Sequence, residues 1–306
     1  MNSPFTWLLP ERSNDEKDLD LNPEHQLSLE LIKGMIGKLM DHKTHFQSVK
    51  YPEAQNYRYL FSDYPYFETF IDYVFEHTQP EIHVNSLENP EAAYFYWRPI
   101  YLLTGDPAKV DHQAVYAEMA DYSWIVAEND AWSQTLKTFF GDKLITHIRT
   151  LFDSSKLNLD HVQSQMRPVP DGLRVTAIGP DQTQQESGLF YKDILRRFFV
   201  DTDFLETGYG FCVMDGDKLA GFAAANFPIR EKVLEIYVRV LDEPQYRQKG
   251  LGITLSAKLI EYCLMNGITP VWDSANDISA HMAKKLGFVP SREWEMHQVR
   301  FSPDED

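Results

Sequence analysis

The chain has 306 residues, 43% apolar and 25% charged, a globular balance that excludes disorder, collagen-like repeats and coiled coil as descriptions of the whole. Its 29 lysines and arginines face 46 acids, a formal charge of -17; such a field repels phosphate backbones, so no nucleic-acid partner is expected. No uncharged run approaches the ~20 residues that span a bilayer, and Met1 to Asp20 lacks the basic-then-apolar layout of a signal peptide, so a cytoplasmic protein without a membrane partner is expected. Cys212 and Cys263 are the only cysteines, too few for a disulfide framework or a cysteine zinc site.

In chain order, Ser28 to His45 places Leu29, Ile32, Met35, Ile36, Leu39 and Met40 on one face at helical spacing, which predicts an opening amphipathic helix. An aromatic belt from Tyr51 to Phe75 reads either as the core and rim of a small domain or as an aromatic pocket. Strand-like runs follow at Tyr94 to Leu103 and Tyr122 to Ala127. Then comes a helix between Asn129 and Gly141, with Trp132, Leu136, Phe139 and Phe140 as its buried stripe. Gln163-Ser164-Gln165 runs into the spaced prolines and turn signal of Arg167-Pro168-Val169-Pro170-Asp171-Gly172. This sets a domain boundary, with an aromatic-rich α/β domain over 1–166 and a second domain over 167–306. Before Met166 there are 13 basic against 25 acidic residues, and from there on 16 against 21, a field that favours an amine-bearing ligand.

Leu173 to Ile178 predicts a strand and Leu189 to Phe204 a helical region. Phe211 to Met214 and Leu219 to Phe227 flank the hairpin turn Asp215-Gly216-Asp217-Lys218, and Val233 to Val240 extends the antiparallel meander. Leu251, Leu255, Leu259, Ile260, Tyr262 and Leu264 describe a helix over Leu251 to Met265, stopped by Asn266-Gly267. Ile268 to Trp272 reads as a strand, Asp277 to Leu286 as a helix ended by Gly287, and Trp294 to Phe301 alternates as a final strand. Strand-then-helix recurs around Val126 and Trp272, leaving room for an ancient duplication. The fold class expected is α/β in the α+β sense: a mixed, mainly antiparallel sheet flanked by helices, with an additional N-terminal α/β domain.

Arg247-Gln248-Lys249-Gly250-Leu251-Gly252 sits between strand and helix, where open backbone amides and the helix dipole together favour an anion. Glycines let the main chain approach a ligand without a Cβ in the way, so the amides of Gln248 through Ile253 can surround a diphosphate. Neither a Walker loop nor Gly-x-Gly-x-x-Gly is present. Downstream, Asn276-Asp277-Ile278-Ser279 leads to Lys285-Leu286-Gly287-Phe288. This pair of motifs resembles the GNAT superfamily of N-acetyltransferases. Its acetyl-CoA signature Arg/Gln-x-x-Gly-x-Gly/Ala is matched by Arg247 to Gly252, and its later stretch by Asn276, Ser279, Met282, Lys285, Gly287 and Phe288, over about residues 170–306. Trp272-Asp273-Ser274-Ala275-Asn276 and the long aromatic N-terminal half are similar to the zwittermicin A resistance protein family, whose members inactivate an amine-bearing antibiotic.

The resemblance implies acetyl-CoA as co-substrate, a small-molecule amine as acceptor, no metal, and direct transfer without an acetyl-enzyme. It assigns the diphosphate to the amides of Gln248, Gly250, Leu251, Gly252 and Ile253, with charge from Arg247 and Lys249. By spacing, the Val240 amide would donate to the oxyanion of the tetrahedral intermediate. The pantetheine arm would meet the same strand end around Asp242, then Asn276 and Ser279. An amine with a pKa near 10.4 is neutral only about once in 10³ molecules at pH 7, so a proton acceptor is required. Glu235 is the strand carboxylate. Two readings stay open for it, general base or surface ion-pair carboxylate, because strand parity sets Glu235, Tyr237 and Arg239 opposite Ile236, Val238 and Val240. Ala283 occupies the position of the tyrosine that usually protonates the leaving thiolate; Tyr262, His281 or water are the replacements. Cys263 reads as a buried thiol, and the histidines show no metal-ligand spacing. A noncatalytic CoA-binding module is the alternative function.

Overall fold

The computed structural model describes residues 45–301 apart from 65–66, 78–79, 98–99, 128, 184–189, 191–193 and 196–202. The helix expected over Ser28 to His45 therefore lies outside the described residues, as does most of the helical region expected over Leu189 to Phe204. All described residues belong to a single compact unit.

The elements run β1 (Gln47–Val49), a 3-10 helix (Glu53–Phe61), α1 (Glu68–His77), β2 (Ile82–Val84), β3 (Ala92–Trp97), β4 (Ile100–Gly105), α2 (His112–Glu118), β5 (Trp124–Ala127), α3 (Asp130–Phe140) and β6 (Leu144–Asp153). After α4 (Leu159–Ser164) come β7 (Leu173–Ala177), β8 (Gly210–Asp215), β9 (Lys218–Ala225), β10 (Val233–Val240), α5 (Leu251–Met265), β11 (Thr269–Ser274), α6 (Asp277–Leu286) and β12 (Val289–Val299). The run Tyr94 to Leu103, read as one strand, is two strands paired antiparallel, with Trp97 opposite Ile100. Phe139 leaves the expected stripe of α3 and is 42% exposed, whereas Trp132 and Leu136 are fully buried.

The twelve strands among the described residues join one sheet in the order β1-β2-β3-β4-β5-β12-β6-β11-β10-β9-β8-β7. Each half follows the same path: four antiparallel strands, a helix, a strand parallel to the fourth, a second helix and a last strand. The last strands are exchanged, so β6 lies against β11, β12 lies against β5, and the two pair with each other from Leu144↔Val299 to Asp153↔Val289. This path gives physical form to the strand-helix recurrence in the sequence.

Helix α5 is apolar almost all round because it is enclosed. Leu255, Leu259, Ile260 and Cys263 are fully buried against Leu234 of β10 and Trp272 of β11, each large aliphatic contributing about 1.5–3 kcal/mol relative to exposure. Another core gathers Phe61, Phe70, Ile71, Phe75 and Phe95 with Trp294 packed against it, so the phenylalanines of the aromatic belt are core, while Tyr51 and Tyr59 are exposed at its rim and Tyr64 and Phe67 also line a cavity. At the β6/β12 seam, fully buried His297 has Thr146 Oγ1 3.0 Å from Nδ1 and Ser133 Oγ 3.1 Å from Nε2; burial pulls its pKa down to about 4. Burial pushes the Cys212 thiol up to about 11 and the Cys263 thiol to about 12, which leaves both inert.

Candidate active site

The site begins where a ladder stops. Parallel pairing of β10 with β11 covers Val233↔Thr269, Leu234↔Pro270 and Glu235↔Val271 and goes no further, while β10 stays paired to β9 from Ile236 to Val240. Along β10, Asn226 N donates to Glu235 O at 2.8 Å and Leu241 N to Ala220 O at 2.9 Å. Odd-numbered residues thus bond to β9, and by alternation the amides and carbonyls of Val238 and Val240 point to the side β11 has left. Both residues line the resulting cleft of about 590 Å³.

Helix α5 aims its N-terminus into that cleft. Gln248 (φ 57) and Gly250 (φ 72) adopt left-handed backbone and turn the chain into the helix. No side chain caps α5, whereas Asp111, Asn129, Asn158 and Asn276 cap α2, α3, α4 and α6. The first-turn amides of Leu251, Gly252 and Ile253 therefore face the cleft with the positive end of the dipole behind them, which suits a diphosphate. Arg167 crosses this turn: its N–H donates to Thr254 Oγ1 at 3.0 Å, and its Cδ lies 2.5 Å from where a Cβ on Gly250 would stand. Arg247 is committed to Asp242, with Nη2 donating to Oδ2 at 2.7 Å, and that hydrogen bond holds the Asp242 carboxyl below its ordinary range.

The first half lacks this opening. There β4 and β5 stay paired from Ile100↔Trp124 to Leu103↔Ala127, and Asn129 Nδ2 donates to Gly105 O at 3.0 Å across the strand ends. Carboxylates of Asp106 and Asp111 accept from Ala108 N at 2.9 Å and Gln113 N at 3.2 Å, taking the place an anion would need.

A second cavity of about 370 Å³ adjoins the cleft and shares Val238, Ile278 and Met282 with it. Glu235 and Tyr237 line it from β10, Asn276 and Ser279 from the start of α6, and Arg149 from β6. Asn226 Nδ2 donates to Glu235 Oε1 at 2.7 Å. No register shift interrupts β10 against β9, so Glu235 keeps the parity expected from sequence. It reaches a wall shared with Val238 because the strands part, opening both faces of β10 to connected space.

Of the residues singled out in the sequence, Val240, Asp242, Arg247, Gln248, Gly250, Leu251, Gly252 and Ile253 line the cleft. Glu235, Asn276 and Ser279 line the adjoining cavity; Lys249 lines neither. Asn276 also acts as the α6 cap, its Oδ1 accepting from Ser279 N at 2.9 Å, and Ser279 Oγ accepts from Trp272 Nε1 at 3.1 Å. Sequence reasoning missed Arg167, Asn226 and Arg149. Ala283 is fully buried, and Tyr262 stacks on Tyr209 at 3.6 Å without lining the cleft, which leaves His281 in the cleft wall among the side chains considered as acid. Among the described residues no cluster of three His, Cys, Asp or Glu could hold a metal ion, and no helix is long and apolar enough to cross a membrane.

A family model described as GNAT acetyltransferase matches residues 59–297. The chain is 24% identical over 252 residues to the "Uncharacterized N-acetyltransferase YdfB" of Bacillus subtilis (strain 168), spanning 78% of this chain and 92% of that protein. A GCN5-related N-acetyltransferase-like protein from Streptococcus suis 89/1591 has a solved structure with a TM-score of 0.68 and 24% identity, covering 81% of this chain and 98% of that one. A tandem GNAT protein from the clavulanic acid biosynthesis pathway gives a TM-score of 0.50 at 14% identity, covering 85% and 100%. At these identities the solved structures bear on fold alone, and they agree with the mixed, mainly antiparallel sheet flanked by helices.

Proposed function

Because this chain belongs to the GNAT acetyltransferase family, an N-acetyltransferase fold and activity are its premise, and we propose that it moves the acetyl group of acetyl-CoA directly onto the amine of a small molecule held beside Glu235. The observation that carries this reading is the halt of β10–β11 pairing after Glu235↔Val271, which opens backbone donors next to an uncapped helix N-terminus. Acetyl-CoA, the family's donor, supplies an acyl thioester. The amides at the start of α5 hold its diphosphate, and Arg167 lies over the same turn to add charge. The Val240 N–H donates to the thioester oxygen as it gains charge.

Glu235, oriented by Asn226, takes the proton from the attacking amine. Attack forms the N–C bond and a tetrahedral intermediate, and its collapse breaks the C–S bond. The departing thiolate, with an ordinary pKa near 8.5, takes its proton from water or His281. We assign the acceptor to amine-bearing antibiotics on the likeness of Trp272 to Asn276 and of the aromatic first half to the zwittermicin A resistance proteins, and we place the reaction in the cytoplasm. We set the junction of the two halves between β6 and β7, spanning the boundary expected at residues 166 and 167. On this reading the first half completes the acceptor cavity through Arg149.

Calorimetry with CoA, followed by thiol release from acetyl-CoA across a panel of amines, tests the reading. Micromolar CoA binding and amine-dependent thiol release are the expected results. No heat of binding refutes the site, and binding without turnover across the panel favours a noncatalytic CoA-binding module.

A further inference from the structure

Strand exchange carries Arg149 of the first half into the acceptor cavity of the second. Its Nε donates to Asp273 Oδ2, and the two side chains are 19% and 2% exposed. Asp273 Oδ1 accepts from Trp294 Nε1 at 3.0 Å, and the guanidinium stands 5.6 Å from the centroid of the Trp294 ring. Held from two sides, this guanidinium has one of its five N–H donors engaged by a described acceptor. A planar fork fixed in a cavity wall recognises a planar oxygen group in the ligand. Its charge is already balanced by Asp273, and a ligand carboxylate there would face the Asp273 carboxylate as a like charge, which selects for a neutral oxygen.

Building on the acetyl-transfer reading above, we propose that Arg149 is a specificity residue for the acceptor: the amine that is acetylated carries, beyond its nitrogen, a neutral carbonyl oxygen that the Arg149 guanidinium receives. The acceptor class is therefore aminoacyl-amide-like. A cavity of about 370 Å³ accommodates such a molecule.

The test uses the full chain, acetyl-CoA and three amines on one carbon frame: leucinamide, leucine and 3-methylbutylamine. Thiol release gives kcat/KM for each amine with the unsubstituted protein, Arg149→Lys and Arg149→Met. Comparing one amine across variants cancels that amine's own reactivity. The leucinamide to 3-methylbutylamine ratio is expected to fall by about 10- to 100-fold in both variants, the range set by a hydrogen bond to a charged donor, with a smaller fall for leucine. Arg149→Met leaves Asp273 buried without its cation, so the double variant Arg149→Met, Asp273→Asn is measured alongside it, and CoA calorimetry reports that each variant is folded. A ratio unchanged within twofold overturns the proposal, and a larger loss for leucine than for leucinamide overturns the choice of a neutral oxygen. No thiol release with leucinamide while other amines are acetylated also overturns it and spares the acetyl-transfer reading; no release with any amine overturns that reading too.

Discussion

Substituting Gly252 by Asp separates the proposed diphosphate site from a glycine turn needed only for folding. Gly252 is the second residue of α5, lines the cleft, and is not among the residues of positive φ. A Cβ there meets Met282 Sδ at 3.5 Å and Val240 Cγ2 at 3.8 Å, both ordinary contacts. The new carboxylate stands in the first helical turn, where a negative charge stabilises a helix by about 0.3–1 kcal/mol, and replacing glycine adds a few tenths. The fold is therefore expected to melt at the same temperature or a few degrees higher. A diphosphate on the same amides meets that carboxylate at about 5 Å, which costs about 0.8 kcal/mol per phosphate charge in bulk water and about 3 at an effective dielectric constant of ~20. With two phosphates the CoA dissociation constant rises at least about tenfold, and the loss shrinks as salt is raised. Calorimetry at two ionic strengths, with a thermal melt of the same sample, reads both quantities. A dissociation constant within twofold of the parent, or an affinity loss accompanied by a drop in melting temperature, refutes the reasoning.

Glu235→Gln is expected to lower kcat by about 10²- to 10⁴-fold with CoA affinity unchanged, as measured by thiol release against pH; a profile that keeps its acidic limb rules out the base assignment. Restoring the family tyrosine with Ala283→Tyr overfills a fully buried position, so chemical denaturation should show a loss of about 1–3 kcal/mol or more and no gain in rate. His297, with its pKa pulled down to about 4 by burial, stays neutral in the folded chain while the unfolded chain takes up a proton near pH 6.5. Stability from this group is complete above about pH 6.5 and declines as pH falls toward 4, by about 2 kcal/mol at pH 5. Denaturation midpoints of the parent and His297→Gln, followed from pH 7 to 4.5, should show the shallower slope in the variant; parallel slopes contradict it.

The turn from Arg247 to Gly252 was legible because everything it needs is contiguous: two left-handed residues, amides without Cβ obstruction, and a helix directly behind. The helix from Leu251 to Met265 and the strands around Gly216 were equally local. What escaped detection is brought in by pairing between distant segments. Arg149 reaches Asp273 across 124 positions and Arg167 meets Thr254 across 87, distances over which no pattern in one segment announces the other. Strand β6 went unread because most of it is half-buried, which erases the alternation that marks a one-faced strand. The run Tyr94 to Leu103 misled for a related reason: both of its strands are largely buried, so neither shows the alternation that would mark where one ends and the next begins. The parity of Glu235 was read correctly, yet its position could be understood only from where β10 and β11 part.

The exchange of β6 and β12 also bears on how the molecule is made. During synthesis β5 and β6 leave the ribosome long before β12, so the nascent first half presents one unpaired edge on β5 and both edges of β6 until the strands of the second half have followed, and such edges recruit other chains. Completion of the sheet is deferred until β12 has been made. Termination between the end of β11 and Val289 thus leaves both halves of the sheet without the strand that joins them, in an aggregation-prone polypeptide, where a simple tandem arrangement would have released one finished half.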